Sequence, residues 1–331
     1  MTRAVIASVS EATGRSCATS RPARKLFPRR GRLCHDRPVQ IGVTLPNYGP
    51  PLARPDTLVR LARLAEDLGA DGVWLSDHLV APVGARSIYP YDRRPDPKPG
   101  DLGVIEEFYE PMVTLAFLAG QTRRVRLGVS AYVMPYRNPV LTAKHVATLD
   151  ALSGGRVVLA VGVGWLREEF AALGVPFAGR GRRTDDYLAV CRALWAGGTA
   201  SYAGDRYVLP PVRTGPRPTQ QPHPPLWIAG NSTAAIERAA RHGDGWHAID
   251  LSPAELRPLV SRLRARVEAH GRPAGSVRVT MRRLVAPLEG VRRDLAAYRD
   301  AGLDYLVAGL PRTAAADEAA RMLEEAIRGL R

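Results

Sequence analysis

Three short clusters in this chain carry residue types that do chemistry. Asp77-His78 follows the apolar run Gly72-Val73-Trp74-Leu75. An imidazole changes charge near neutral pH and an adjacent carboxylate can orient it, so the pair suits proton transfer. The competing reading is a helix cap followed by a surface histidine. In Gly162-Val163-Gly164-Trp165 the glycines would let a planar ligand approach the backbone, and the indole would wall it. A tight turn beside a packed indole is the alternative. Gly230-Asn231-Ser232 offers free N–H groups and a hydroxyl at a helix start, which suits an anion, or ordinary capping. Arg167, Arg180, Arg182 and Arg183 could meet an acidic ligand or be merely solvated. No zinc spacing, phosphate-loop lysine, G-x-S-x-G elbow or Cys-His pairing occurs, so no metal is expected.

These clusters need elements to position them, and the chain supplies a regular series. Apolar runs at 39–45, 72–75, 126–130, 157–163, 226–229, 245–249, 277–284 and 304–308 read as strands. Helical patterns alternate with them, beginning at Pro55–Leu68, where Leu58, Leu61, Ala62, Ala65 and Leu68 share one face. Asn138-Pro139 is a strong helix start, with Leu141, His145, Leu149 and Leu152 expected on one face. The run 157–163 is apolar almost throughout, as in a strand covered on both sides. A junction recurs: Gly69-Ala70-Asp71-Gly72, Gly243-Asp244-Gly245 and Gly302-Leu303-Asp304 each place glycine after a helix and an acid before a strand. Eight strands alternating with eight helices predict a (β/α)8 TIM barrel. Two irregular segments interrupt it, about 80–107 after the second strand and about 199–225 after the fourth helix, itself expected at about 185–196. The chemical clusters then fall after strand ends, on the rim where such barrels carry their sites.

Length and composition narrow the function classes. The chain has 331 residues, a hydrophobic fraction of 45% and a net charge of +15. Residues 1–38 hold nine Lys/Arg against two Asp/Glu, a net +7 that leaves +8 for the remainder. That segment reads as a disordered or mis-started basic extension, and 39–331 as the barrel domain. The remaining arginines are dispersed, so a nucleic-acid partner is not expected. No apolar run approaches the ~20 residues that cross a bilayer. Cys17, Cys34 and Cys191 suggest no disulfide framework, so a cytoplasmic location is expected.

Taken together, the motifs resemble the bacterial luciferase-like monooxygenase superfamily, in particular its coenzyme F420-dependent oxidoreductase branch. The resemblance is carried by Trp74-Leu75-Ser76-Asp77-His78, Leu127-Gly128-Val129-Ser130, the run from Arg156 through Gly162-Val163-Gly164-Trp165 to Phe170, and Leu226-Trp227-Ile228-Ala229-Gly230-Asn231-Ser232. It implies a deazaflavin at the barrel mouth and hydride transfer to or from a small organic substrate. It also implies His78 and Asp77 as the catalytic pair, and a non-proline cis peptide at Ser130-Ala131 behind the ring. Gly162, Gly164 and Trp165 would line the ring, and Ala229, Gly230, Asn231 and Ser232 would receive the ribityl-phosphate end. Flavin mononucleotide (FMN) binders share the barrel and these loops. The alternative is therefore an FMN-dependent monooxygenase fed by a partner reductase. Pairing as a homodimer is compatible with either.

Overall fold

The computed structural model describes residues 38–49, 52–97, 107–285, 288–310, 313 and 315–331. The expected basic extension lies outside these residues except for Pro38. In chain order the strands are β1 (Gln40–Thr44), β2 (Gly72–Leu75), β3 (Arg126–Val133), β4 (Val157–Gly162), β5 (Ala200–Ala203), β6 (Val208–Val212), β7 (Leu226–Ala229), β8 (Gly245–Ile249), β9 (Arg278–Leu284) and β10 (Tyr305–Gly309). The helices are α1 (Pro55–Asp67), α2 (Pro111–Gln121), α3 (Pro139–Ser153), α4 (Arg167–Ala172), α5 (Arg180–Ala196), α6 (Thr233–His242), α7 (Pro253–Ala269), α8 (Leu288–Asp300) and α9 (Ala316–Leu330). Eight parallel strands close in the order β1-β10-β9-β8-β7-β4-β3-β2, the (β/α)8 barrel that the alternation predicts.

The recurrent junction has a mechanical meaning. The backbone N–H of Asp71 donates to Ile41 O at 2.7 Å, and the Asp71 carboxylate accepts the Ile41 N–H at 2.9 Å. Asp244 grips Leu226 in the same two ways, at 2.8 and 2.9 Å. Asp304 grips Val279, at 2.8 Å in both directions. Each acid thus ties the start of its own strand to the start of the strand before it in space, setting the register at the bottom of the barrel.

Side chains alternate along each strand between the barrel interior and the helix layer. The outward set, including Ile41, Val73, Leu127, Leu159, Ile228 and Met281, packs with the helices into one core. Inside, Trp74 and Trp227 stack with ring centroids 5.0 Å apart, and Tyr305 lies edge-on to both. Strands on either side of Trp74 must carry no side chain at its height. A Cβ on Gly42 would lie 2.4 Å from the indole nitrogen, and one on Gly128 would lie 2.3 Å from the ring. The interior is therefore plugged by indoles where its wall is glycine.

Three sequence expectations change. The segment 199–225 contains the hairpin β5–β6, antiparallel and separate from the barrel. Pro210 and Pro211 obscured it, yet proline is tolerated on an edge strand that needs no donor on its free side. The helix expected at about 185–196 begins instead at Arg180, so Arg180, Arg182 and Arg183 occupy its first turn and Arg167 opens the additional short helix α4. Finally, α3 turns Ala143, Val146, Ala147 and Leu149 inward and leaves Leu141 and Leu152 exposed. That helix is apolar on most sides, so its periodicity cannot choose a face.

Candidate active site

The strand ends after β2, β3, β4, β7 and β9 surround the barrel mouth. Asp77 and His78 stand side by side in sequence, but their side chains meet different partners. The Asp77 carboxylate accepts two bonds from the Arg137 guanidinium, at 2.9 and 2.8 Å, and the Val133 N–H at 2.8 Å. Its side chain is fully buried. Arg137 also reaches Glu110 at 2.8 Å and covers the Tyr132 ring at 4.6 Å. Burial alone would push the Arg137 guanidinium down, but Asp77 outweighs it and holds the charge firmly. Asp77 is therefore an anchor for the chain leaving β3. The sequence suggests that Asp77 orients the His78 imidazole, but beyond the end of β2 the Asp77 carboxylate faces Arg137 and Val133 instead.

The carboxylate that meets His78 is Glu169, from the first turn of α4. Its Oε2 lies 2.7 Å from His78 Nδ1 and accepts the Tyr136 hydroxyl at 2.8 Å. Its Oε1 accepts the Leu79 N–H at 2.6 Å and the Val80 N–H at 3.3 Å. Burial pushes the Glu169 carboxyl up, but these donors, led by His78, outweigh it and hold it below its ordinary range. An ionised carboxylate only accepts, so the proton of this contact sits on Nδ1. That leaves Nε2 as the ring nitrogen not engaged by Glu169. Glu169 was visible in the sequence only as one acid of a Glu-Glu pair 91 positions away.

Aromatic rings continue from His78 around the mouth. Phe108 lies 5.2 Å and Trp165 6.3 Å from the imidazole. Tyr89 lies 5.3 Å from Trp165 and 5.5 Å from Tyr91. Tyr89 and Tyr91 belong to the described stretch 80–97 after β2, which crosses the mouth. The Arg86 N–H donates to Glu168 at 2.8 Å, the Tyr91 hydroxyl accepts the Asn231 N–H at 3.3 Å, and Arg93 pairs with Glu255 at 3.2 Å. The segment is thereby tied to α4, to the end of β7 and to α7.

Ser130-Ala131 is a cis peptide, and the β3–β4 register shifts there. Ser130 faces the interior and meets His247 of β8, with Oγ 2.8 Å from Nε2. His247 Nδ1 lies 2.8 Å from Thr280 Oγ1, which donates to the Trp246 carbonyl at 3.0 Å. A carbonyl can only accept, so the chain has one direction: Ser130 hydroxyl to His247 Nε2, His247 Nδ1–H to Thr280, Thr280 to Trp246. Burial first, and Arg282 second, push the His247 imidazole down to about 3. His247, within β8, therefore lies one layer beneath the rim.

The remaining expected residues divide. A Cβ on Gly162 would lie 3.2 Å from Ala131 Cβ, so Gly162 abuts the bulge. Gly164 has φ +82°, and a Cβ there would strike Phe170 at 2.6 Å and Val133 at 2.8 Å. Its bare face is packed against protein, not open to a ligand. Trp165 is half-buried in the aromatic wall. Ala229 ends β7 beside His247, and the Gly230 N–H donates to His247 O at 3.0 Å. The Asn231 side chain clasps the Ile249 backbone in both directions, at 2.7 and 2.9 Å. Ser232 Oγ accepts the Ala235 N–H at 3.2 Å as the cap of α6. Arg183 donates to the Pro176 carbonyl at 2.7 Å. Arg167 and Arg180 lie over the Phe177 ring at 4.2 and 3.8 Å, Arg180 Nε donates to the Gly164 carbonyl at 3.0 Å, and neither has a carboxylate partner among the described residues. Burial, then Arg167, lowers the Arg180 guanidinium.

The profile of the family described as Luciferase-like monooxygenase matches residues 38–330. The chain belongs to the luciferase-like monooxygenase family. An uncharacterised protein of Mycobacterium tuberculosis is 35% identical over 216 residues, 65% of this chain and 72% of that protein. An FMNH(2)-dependent dimethylsulfone monooxygenase of Pseudomonas putida is 33% identical over 44% of this chain and 41% of its own length. An F420-dependent glucose-6-phosphate dehydrogenase of Amycolatopsis mediterranei is 32% identical over 58% of this chain and 53% of its own length. Among solved structures, the monooxygenase RslO1 of Streptomyces bottropensis superposes with a TM-score of 0.69 at 22% identity, covering 88% of this chain and 98% of that one. Relatives of this luciferase-like protein thus include both deazaflavin and FMN users. Among the described residues no His/Cys/Asp/Glu group could hold a metal, and no helix is long and apolar enough to cross a membrane.

Proposed function

We propose that this luciferase-like protein is a coenzyme F420-dependent oxidoreductase that moves a hydride between a small organic substrate and the deazaflavin. The observation that carries the reading is the Glu169-supported His78, a proton carrier with one defined tautomer at the mouth of the barrel. The residues present fit a flat, anionic cofactor. Trp165, Tyr89 and His78 form an aromatic wall, the Ser130-Ala131 bulge forms a floor, and Arg167 and Arg180 are cations without a protein counter-ion. When bound, the deazaflavin supplies a two-electron hydride acceptor or donor at its C5 carbon.

The side chains divide the remaining work. For an alcohol-type substrate, His78 Nε2 takes the hydroxyl proton as the hydride leaves carbon, or returns it in the reverse direction. Glu169 stabilises the resulting imidazolium across 2.7 Å. The segment carrying Tyr89 and Tyr91 covers the mouth and excludes water, which strengthens these charges. Asp77 contributes by holding Arg137 and the end of β3, as a positioning residue. Gly230, Asn231 and Ser232 shape the far end of the cleft, with the Asn231 side chain committed to Ile249.

The alternative, an FMN-dependent monooxygenase using reduced flavin from a partner reductase, draws on the Pseudomonas putida relative. Titration of the purified chain with F420 and with FMN, oxidised and reduced, separates the two. Micromolar binding of F420 and weak binding of FMN is the expected result. Tight binding of FMN with none of F420 would overturn the proposal.

A further inference from the structure

We infer that Arg282 is an anion-binding residue on the floor of the barrel mouth, placed to take a carboxylate or enolate-type oxygen of the ligand bound there. The inference rests on the mouth being the ligand site, as proposed above, but its chemistry is read from different residues. Along β9 the side chains alternate. Thr280 bonds inward to His247, Met281 packs outward with the helices, and Arg282 turns inward again one layer higher. Its Nη1 donates to the Ser130 carbonyl at 2.7 Å and to Ser76 Oγ at 3.2 Å. Both acceptors are neutral. The guanidinium is thus fastened between the tip of β2 and the bulge of β3 without being neutralised.

Neighbouring arginines around the rim are treated differently. Arg137 pairs with Asp77 and Glu110, Arg283 with Asp250, and Arg93 with Asp250 and Glu255. Among the described residues Arg282 has no carboxylate partner. The two hydrogens of Nη1 are used, which leaves the edge formed by Nε and Nη2. That edge is the fork that binds a carboxylate with two parallel bonds. Its charge is felt nearby: Arg282 opposes protonation of His247 and offsets part of the burial effect on the Tyr89 phenol. Tyr89 belongs to the crossing segment, so the guanidinium lies between floor and cover.

Benzoate is a suitable probe, being a planar carboxylate that matches both the fork and the aromatic wall. Its affinity for the cofactor-free full chain is measured by calorimetry, alongside F420 affinity by fluorescence, for the wild type, Arg282→Met and Arg282→Lys. The expected result is at least a tenfold weakening of benzoate binding in Arg282→Met, partly restored in Arg282→Lys. A loss confined to F420 binding assigns the anion to the cofactor's own ring oxygen; a loss confined to benzoate assigns it to the substrate. Either keeps the anion site. Unchanged affinity for both probes in a folded Arg282→Met chain, or no benzoate binding by the wild type together with unchanged F420 affinity, overturns it. A wild type that binds benzoate through Arg282 but no F420 refutes the proposed cofactor and leaves the anion site standing.

Discussion

The Glu169 carboxylate lies 2.7 Å from Nδ1 of His78 across 91 residues of sequence, while Asp77, covalently next to His78, turns away to Arg137. The acid that matters to the histidine is therefore the remote one. General acid–base groups contribute about 10²–10⁴ in rate. His78→Ala is expected to lower kcat by about 10² or more. Glu169→Gln should lower kcat by a smaller factor and move the pH profile, because the partner of Nδ1 becomes neutral. Steady-state kinetics across pH with a turned-over substrate check both; a normal rate in His78→Ala would remove its assigned role.

Asp77→Asn should behave oppositely, as a stability variant. It leaves the Arg137 guanidinium, 9% exposed, with only Glu110 as a counter-ion. Breaking such a buried pair costs about 3 kcal/mol. Urea denaturation should show that loss. Equal stability of Asp77→Asn and wild type would show that the Arg137 contact is not an anchor.

His247 gives the fold an acid sensitivity of known sign. Its imidazole is pushed down to about 3 in the folded chain by burial and by Arg282, against about 6.5 when unfolded. Between those values the unfolded chain binds a proton that the folded chain does not. The contribution is fully present above pH 6.5 and is lost as pH falls towards 3, at no more than about 1.4 kcal/mol per pH unit. His247→Gln should flatten the stability–pH curve by about one proton in this window. Parallel curves for the two proteins would show that His247 does not titrate this way.

The segment crossing the mouth is held by contacts of unequal strength. Arg93 and Glu255 are each about half exposed, so their pair is weak and screened by salt. The Arg86 and Ser87 amides bind Glu168 at 2.8 and 3.2 Å. Arg93→Ala, or raised salt, should speed hydrogen exchange near 91–94 severalfold and leave exchange at 86–87 slower than at 91–94. Uniform acceleration across the segment would show that it opens as one unit.

Much of the architecture was legible from local signals. The Asn138-Pro139 start of α3, the apolar strands and the glycine–acid junctions are set by a residue and its near neighbours, and the chain shows them directly. Where local signals conflicted, reading failed. Proline density hid β5–β6, and an α3 apolar on most sides did not reveal its inner face. The candidate site was legible as a set of positions around a rim, because barrels carry chemistry at strand ends. Its wiring was not.

By itself, then, the sequence determined the number of β/α units, their caps and junctions, and the rim on which Asp77, His78, Ser130, Gly162 and Asn231 stand. The tertiary structure decided which groups touch: Glu169 rather than Asp77 on His78, His247 beneath Ser130, and Arg282 between Ser76 and Ser130. The reason is physical. Periodicity and capping depend on neighbours within a turn or a pleat, which the sequence holds in order. Contacts across a barrel depend on strand register and on which face each residue turns inward, and closure of all eight strands sets both at once.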